Sequence, residues 1–142
     1  MYQLLTKKKL NEMRKLILII LLAIGIQGFA QALKPSTYYK AKITTDSDKT
    51  YWYYFYVNSN NYVRMVDVNK TIEETSVNQT MLHGTTTTYA WQNAGGIWSE
   101  SQNFVFTKDK KSGNIYVHFM RVVQNEGDIP WSVIGVGGVE EF

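Results

Sequence analysis

From Tyr38 onward the chain is a succession of short runs rich in Tyr, Trp, Phe, Val, Ile and Thr, broken at near-even spacing by clusters of Asn, Asp, Ser and Gly. β-Branched and aromatic residues suit a pleated strand and the polar clusters suit turns, so the pattern restricts the chain to an all-β, antiparallel fold. Eight strands are expected: Tyr38 to Thr45, Thr50 to Val57, Tyr62 to Val68, Ile72 to Val77, Thr85 to Gln92, Ile97 to Thr107, Ile115 to Val123 and Ile129 to Val136. Thr71-Ile72-Glu73-Glu74 also fits a helix capping box, which makes a short helix within Ile72 to Leu82 the competing reading of the fourth run.

Eight short strands in about a hundred residues leave two architectures, an up-and-down meander closed into a barrel and a two-sheet sandwich. The connections are short and sequential, and no long Greek-key return is evident, so the barrel is expected and the sandwich is the alternative. In strand count and size this plan is similar to the small calycin-like barrels of the lipocalin and avidin types. The Gly-x-Trp expected in a lipocalin first strand is absent.

The front of the chain is different in kind. Lys7, Lys8, Lys9, Arg14 and Lys15 precede an apolar run from Leu16 to Ile26, followed by Gly28-Phe29-Ala30-Gln31-Ala32. A charged start, an apolar stretch too short to span a hydrocarbon core of about 30 Å comfortably, and small residues at its end form a secretory signal peptide. Residues 1–30 are therefore expected to be removed, leaving a single domain over 31–142, exported to the periplasm or beyond and without a membrane span. Met13-Arg14-Lys15 with the apolar run already forms a complete signal, so residues 1–12 read as an upstream extension.

Charge follows the same division. Five of the 15 Lys and Arg and one of the 12 Asp and Glu lie before residue 31, so the net +3 of the whole chain becomes −1 in the domain. That removes the usual inference from a basic chain to nucleic acid. The absence of cysteine excludes disulfides, Cys-ligated metal and a lipid anchor on a cysteine after the signal. No cofactor is implied.

Even-length turns at Asp46 to Lys49 and Asn58 to Asn61 would place Ile43 opposite Trp52, Ala41 opposite Tyr54, and Tyr39 opposite Tyr56. Tyr54 would then meet Met65, and Tyr56 would meet Val63. The core face is then Tyr39, Ala41, Ile43, Trp52, Tyr54, Tyr56, Val63 and Met65. Lys40, Lys42, Tyr51, Tyr53, Phe55 and Arg64 fall on the other face, with Lys42 opposite Tyr53, and Phe55 between Lys40 and Arg64. Trp91 is expected opposite Trp98, and Tyr89 opposite Glu100. The run Ile115 to Val123 is apolar on both faces and reads as a central strand buried on both sides. Gly135, Gly137 and Gly138 suggest a bulge or a close backbone approach, and Pro130 the start of an edge or closing strand.

Catalytic chemistry is not signalled. His83 and His118 have no second His, Cys or carboxylate at ligand spacing, and His118 reads as packed between Tyr116 and Met120. No nucleophile elbow, phosphate loop or dinucleotide fingerprint occurs. The chain is expected to bind rather than catalyse, with Lys40, Lys42, Tyr51, Tyr53, Arg64, Trp91 and Trp98 as candidate ligand contacts. Flat rings stack on a sugar or another ring, and flanking cations meet acidic groups. A small apolar ligand inside a barrel lined by Trp52, Tyr54, Trp91 and Trp98 is a further option. A structural or protein-interaction role through an exposed edge is the alternative. Intact mass of the exported protein is expected to show cleavage after Ala30 or Ala32; a full-length species stably held in the membrane would contradict the signal reading.

Overall fold

The computed structural model describes residues 6–17, 31–74 and 76–142, in two units, Met1–Ala30 and Gln31–Phe142. The first contains a helix over residues 6–17. The apolar run beyond residue 17 and Ala30, on which the signal-peptide expectation rests, lie outside the described residues. Among the described residues no helix is long and apolar enough to cross a membrane.

The second unit is all-β. Its strands are β1 (Thr37–Thr45), β2 (Thr50–Val57), β3 (Val63–Val66), β4 (Val77–His83), β5 (Thr86–Ala94), β6 (Trp98–Lys108), β7 (Ile115–Asn125) and β8 (Trp131–Glu141). They form one antiparallel sheet in the order β3-β2-β1-β8-β7-β6-β5-β4. Each pairing joins chain neighbours except that of β1 with β8, which curls the meander into a nearly closed barrel. The two-sheet sandwich does not form.

Closure depends on glycine. A Cβ on Gly137 would lie 1.9 Å from the Lys42 carbonyl oxygen, so only glycine lets β8 approach β1 this closely. The expected close backbone approach occurs at Gly135 and Gly137 but not at Gly138, and Pro130 immediately precedes the closing strand.

The gap between β3 and β4 is bridged by side chains. The Val63 amide donates to Thr80 Oγ1 (2.9 Å) and the Met65 amide to the Tyr89 hydroxyl (3.1 Å). Tyr89 in turn donates to Asn78 Oδ1. Two edge donors that would otherwise invite another strand are satisfied in this way. One end of the barrel is floored by the segment before β1: Ala32 and Leu33 are 1% and 2% exposed, and the Ala32 amide donates to the Thr85 carbonyl (3.0 Å).

The interior is filled by rings. Phe55 of β2 reaches across to Phe104 (centroids 4.9 Å apart) and Phe106 (5.2 Å) of β6, both edge-on, and Phe104 packs on Phe119 at 5.0 Å. An eight-stranded barrel is just wide enough for such filling, and each ring pair adds about 0.5 to 1.5 kcal/mol beyond its buried area.

Several expected registers are corrected. Ile43 lies opposite Tyr51, Ala41 opposite Tyr53 and Tyr39 opposite Phe55; Phe55 meets Met65 and Val57 meets Val63. The inward residues of β1 and β3 are as expected, but β2 is inverted: Tyr51, Tyr53, Phe55 and Val57 point in, and Trp52, Tyr54 and Tyr56 point out. The cause lies in the turns. Thr45 closes on Lys49 and Asn58 on Tyr62, so each loop has three residues rather than four. Asp48 (φ 58°) and Asn61 (φ 64°) take the left-handed third position that such loops use. Lys70 (φ 67°) repeats this between Asp67 and Thr71. In the second and third loops the opening side chain accepts two loop amides, Asn58 Oδ1 from Asn60 and Tyr62, and Asp67 Oδ1 from Asn69 and Thr71. An odd loop slips the register by one and turns every side chain of the strand over.

Other elements also differ. The fourth strand is Val77–His83 rather than Ile72 to Val77, and no helix occupies the described part of Ile72 to Leu82. Ile72 instead bridges back to Val66, and Gly84 (φ 59°) makes the tight turn into β5. Trp91 faces Gln102 and Tyr89 faces Phe104, because the β5–β6 turn is at Gly96 and Ile97. β7 is buried on one side only: Val117, Phe119 and Val123 point in, whereas Tyr116, His118 and Met120 are exposed. His118 is therefore a surface residue between Val105 and Val136, not a packed one.

Phe55→Ala is expected to cost about 3 to 5 kcal/mol in urea melts. Trp52→Ala, half exposed on the outer face, should cost about 0.5 kcal/mol. The reverse order would show that β2 is inverted relative to this fold.

Candidate functional site

The outward residues of four adjacent strands form a row, because cross-strand partners share a face. Trp52 of β2 lies opposite Lys42 of β1, Lys42 opposite Gly138 of β8, and Gly138 opposite Tyr116 of β7. Trp52 is 49% and Tyr116 45% exposed. A Cβ at Gly138 would meet nothing within 4 Å, so the missing side chain leaves the middle of the row open. The result is a groove of about 460 Å³, walled by the two rings and floored by β8.

Polar groups edge this groove. Lys40 pairs with Glu140 at 3.0 Å, and Asn114 lies at one end. Lys40 and Lys42 place their ammonium groups 5.9 and 5.8 Å from the centre of the Trp52 ring. Such contacts contribute about 0.5 to 1 kcal/mol each at an exposed position. Among the described residues Lys42 has no carboxylate partner. The surface therefore offers an aromatic plate, an open floor and one unneutralised cation.

A second polar group lies inside, at the barrel end opposite the Leu33 floor. Trp91, Gln102, Arg121 and Val133 form an inward row across β5 to β8. Arg121 Nε and Gln102 Nε2 both donate to Glu100 Oε1 at 2.6 Å, and the guanidinium sits 5.4 Å from the centre of the Trp131 ring. Burial disfavours the Arg121 charge, but Glu100's hydrogen bond and charge outweigh it and raise the pKa above its ordinary value. Tyr53 packs on Phe104 and Phe119, each 5.1 Å away between ring centres. Trp98 lies at the rim, its indole over Gly95.

The seven candidate contacts thus separate into three places. Lys40 and Lys42 lie in the outer groove. Tyr51, Tyr53, Trp91 and Trp98 point into the barrel. Arg64 lies outward on β3 beside Tyr56, at a groove over the β3–β4 gap. The expected cation-and-tyrosine stripe does not form: Lys42 faces Trp52 rather than Tyr53, Lys40 faces Tyr54, and Arg64 faces Tyr56 rather than Phe55. Of the four rings suggested as an interior lining, Trp91 and Trp98 point in, whereas Trp52 and Tyr54 point out. Trp52, Tyr116 and Gly138 in the groove, and Glu100, Gln102 and Arg121 inside, were missing from the candidate contacts. Reading the two turns as three-residue loops would have brought Trp52 beside the lysines.

Among the described residues no group of three His, Cys, Asp or Glu side chains gathers as a metal site. The chain matches no family model, no curated protein and no solved structure.

Burial also sets a pH limit. It pushes the hydroxyls of Tyr53 and Tyr89 from 10.0 up to about 12, against the opposing influence of Arg121 on the first and the Met65 amide on the second. A folded-state pKa above the unfolded one means that this stability is complete below about pH 10 and lost as pH rises through about 12. Spectrophotometric titration is expected to show these two tyrosines ionising only as the barrel unfolds, and Tyr53→Phe should make the alkaline loss of stability shallower.

Proposed function

We propose that this domain is an exported, non-enzymatic binding protein whose ligand is a glycan carrying negative charge, held in the outer groove. The observation that carries the reading is the row Trp52, Lys42, Gly138 and Tyr116, in which two half-exposed rings flank an open floor. The C–H face of a pyranose stacks on an indole, and its hydroxyls find donors and acceptors in Asn114, Lys40 and Glu140. Lys42 selects an acidic sugar, because a ligand carboxylate supplies the partner it lacks.

Stability does not account for this arrangement. Two exposed cation–π contacts contribute little, and an exposed tryptophan adds nothing to the core. The charged and apolar residues before residue 31 fit this reading, since a signal peptide of that pattern would take the domain to a compartment where polysaccharides are present.

A thermal-shift screen of the protein against uronic-acid and neutral oligosaccharides tests the proposal, because a ligand that binds the native state alone raises the melting point. Uronate oligosaccharides are expected to raise it. Trp52→Ala and Gly138→Val, which fills open space, should each weaken that binding at least tenfold while leaving the fold intact. Unchanged affinity in both variants would remove the groove from consideration.

A further inference from the structure

We infer that the outer face of β4 to β7, beside the β5–β6 turn, holds a second ligand site, separate from the groove at Trp52, for a neutral sugar. A cavity of about 540 Å³ lies there, larger than the outer groove. Strand register builds it. Ser99 and Ser101 of β6 form its floor: Ser101 lies between Gln92 of β5 and Val122 of β7, and Ser99 between Ala94 and Gln124. Val77 of β4, opposite Gln92, extends one wall. Cross-strand partners share a face, so the short serine and alanine side chains sit among longer ones and leave the space open.

The lining defines the occupant. Among the described residues Gln92, Ser99, Ser101 and Gln124 have no side-chain hydrogen-bond partner, so two amides and two hydroxyls are free to donate and accept. The outward positions of β5, β6 and β7 carry no Lys, Arg, Asp or Glu. Glu100, which also borders the cavity, is already paired with Arg121 at 2.6 Å. A charged ligand would lose hydration here without gaining a partner, whereas sugar hydroxyls match amides and hydroxyls alike. Val77, 67% exposed, and the half-buried Val122 offer apolar contact to the C–H face of the ring. An extended peptide is not favoured, because β5 and β6 are each paired on both sides and leave no edge for an added strand. The ligand class rests on the glycan reading proposed above; the site itself does not. Val122 lies about 20 Å along β7 from Tyr116, which keeps the two sites apart.

Side-chain amide NMR signals of the protein test this, those of Gln92 and Gln124 being assigned by their loss in Gln92→Leu and Gln124→Leu. The probes are a neutral hexose tetrasaccharide, a uronic-acid tetrasaccharide and a neutral Gly-Ser peptide. The neutral tetrasaccharide is expected to shift both amide signals saturably, and Trp52→Ala should leave that response unchanged. By calorimetry, the double variant Gln92→Leu, Gln124→Leu should bind the neutral tetrasaccharide at least tenfold more weakly. A neutral-sugar site is ruled out if that probe leaves both amide signals unmoved, if the uronate or the peptide moves them more strongly, if Trp52→Ala abolishes the response, or if the folded double variant binds as tightly as the unmodified chain. The outer groove fails separately, by a uronate affinity that Trp52→Ala leaves unchanged. The amide signals are read on the unmodified chain, and each glutamine is assigned from its own single variant, so the shifts decide even where the double variant fails to fold.

Discussion

Closure of β8 onto β1 is the contact on which the other features rest. It joins the two ends of the meander, brings β2 across from β6, and so lets Phe55 pack against Phe104 and Phe106. The approach is possible because Gly137 and Gly135 present no Cβ to the backbone of β1. The same strand then contributes Gly138 to the outside. One glycine-rich strand therefore closes the core on its inner side and leaves a groove on its outer side, because successive residues of a strand point to opposite faces.

The outer groove is a consequence of turn length. Were the β1–β2 loop one residue longer, Trp52 would enter the core and Tyr53 would take its place beside the lysines. The three-residue loops are stabilised locally, by Asn58 and Asp67 side chains accepting loop amides and by residues tolerant of positive φ at the third position. A few hydrogen bonds at the barrel rim thus decide which aromatic ring meets solvent.

Polarity inside the barrel is unevenly distributed. One end is sealed by Leu33 and the middle is packed with rings, but the other end holds an ion pair, an amide and an indole. A core built for stability alone would fill that end with aliphatic side chains, since a buried ion pair rarely surpasses them. The Glu100 carboxylate organises the region by accepting from both Arg121 and Gln102, and it uses the donor end of the Gln102 amide while leaving the acceptor end free.

Local chemistry was enough to determine the all-β class, the number of strands and the barrel plan, because β-branched and aromatic runs between turn residues carry that information residue by residue. The inward set of β1 was legible for the same reason: Tyr39, Ala41 and Ile43 alternate with lysines. β2 was not legible, since Tyr51 to Tyr56 is aromatic at every position and has no polar alternation to mark its faces; only the loop geometry, and the partner across the barrel, decides it. His118 and Met120 were misread for a related reason: an apolar outer face on β7 looks like burial until the tertiary structure shows that nothing in the described barrel covers it. Arg121 and Glu100 are 21 residues apart, and Trp52 and Tyr116 come from opposite ends of the meander. Such juxtapositions depend on sheet closure and register, which are properties of the whole barrel rather than of any segment.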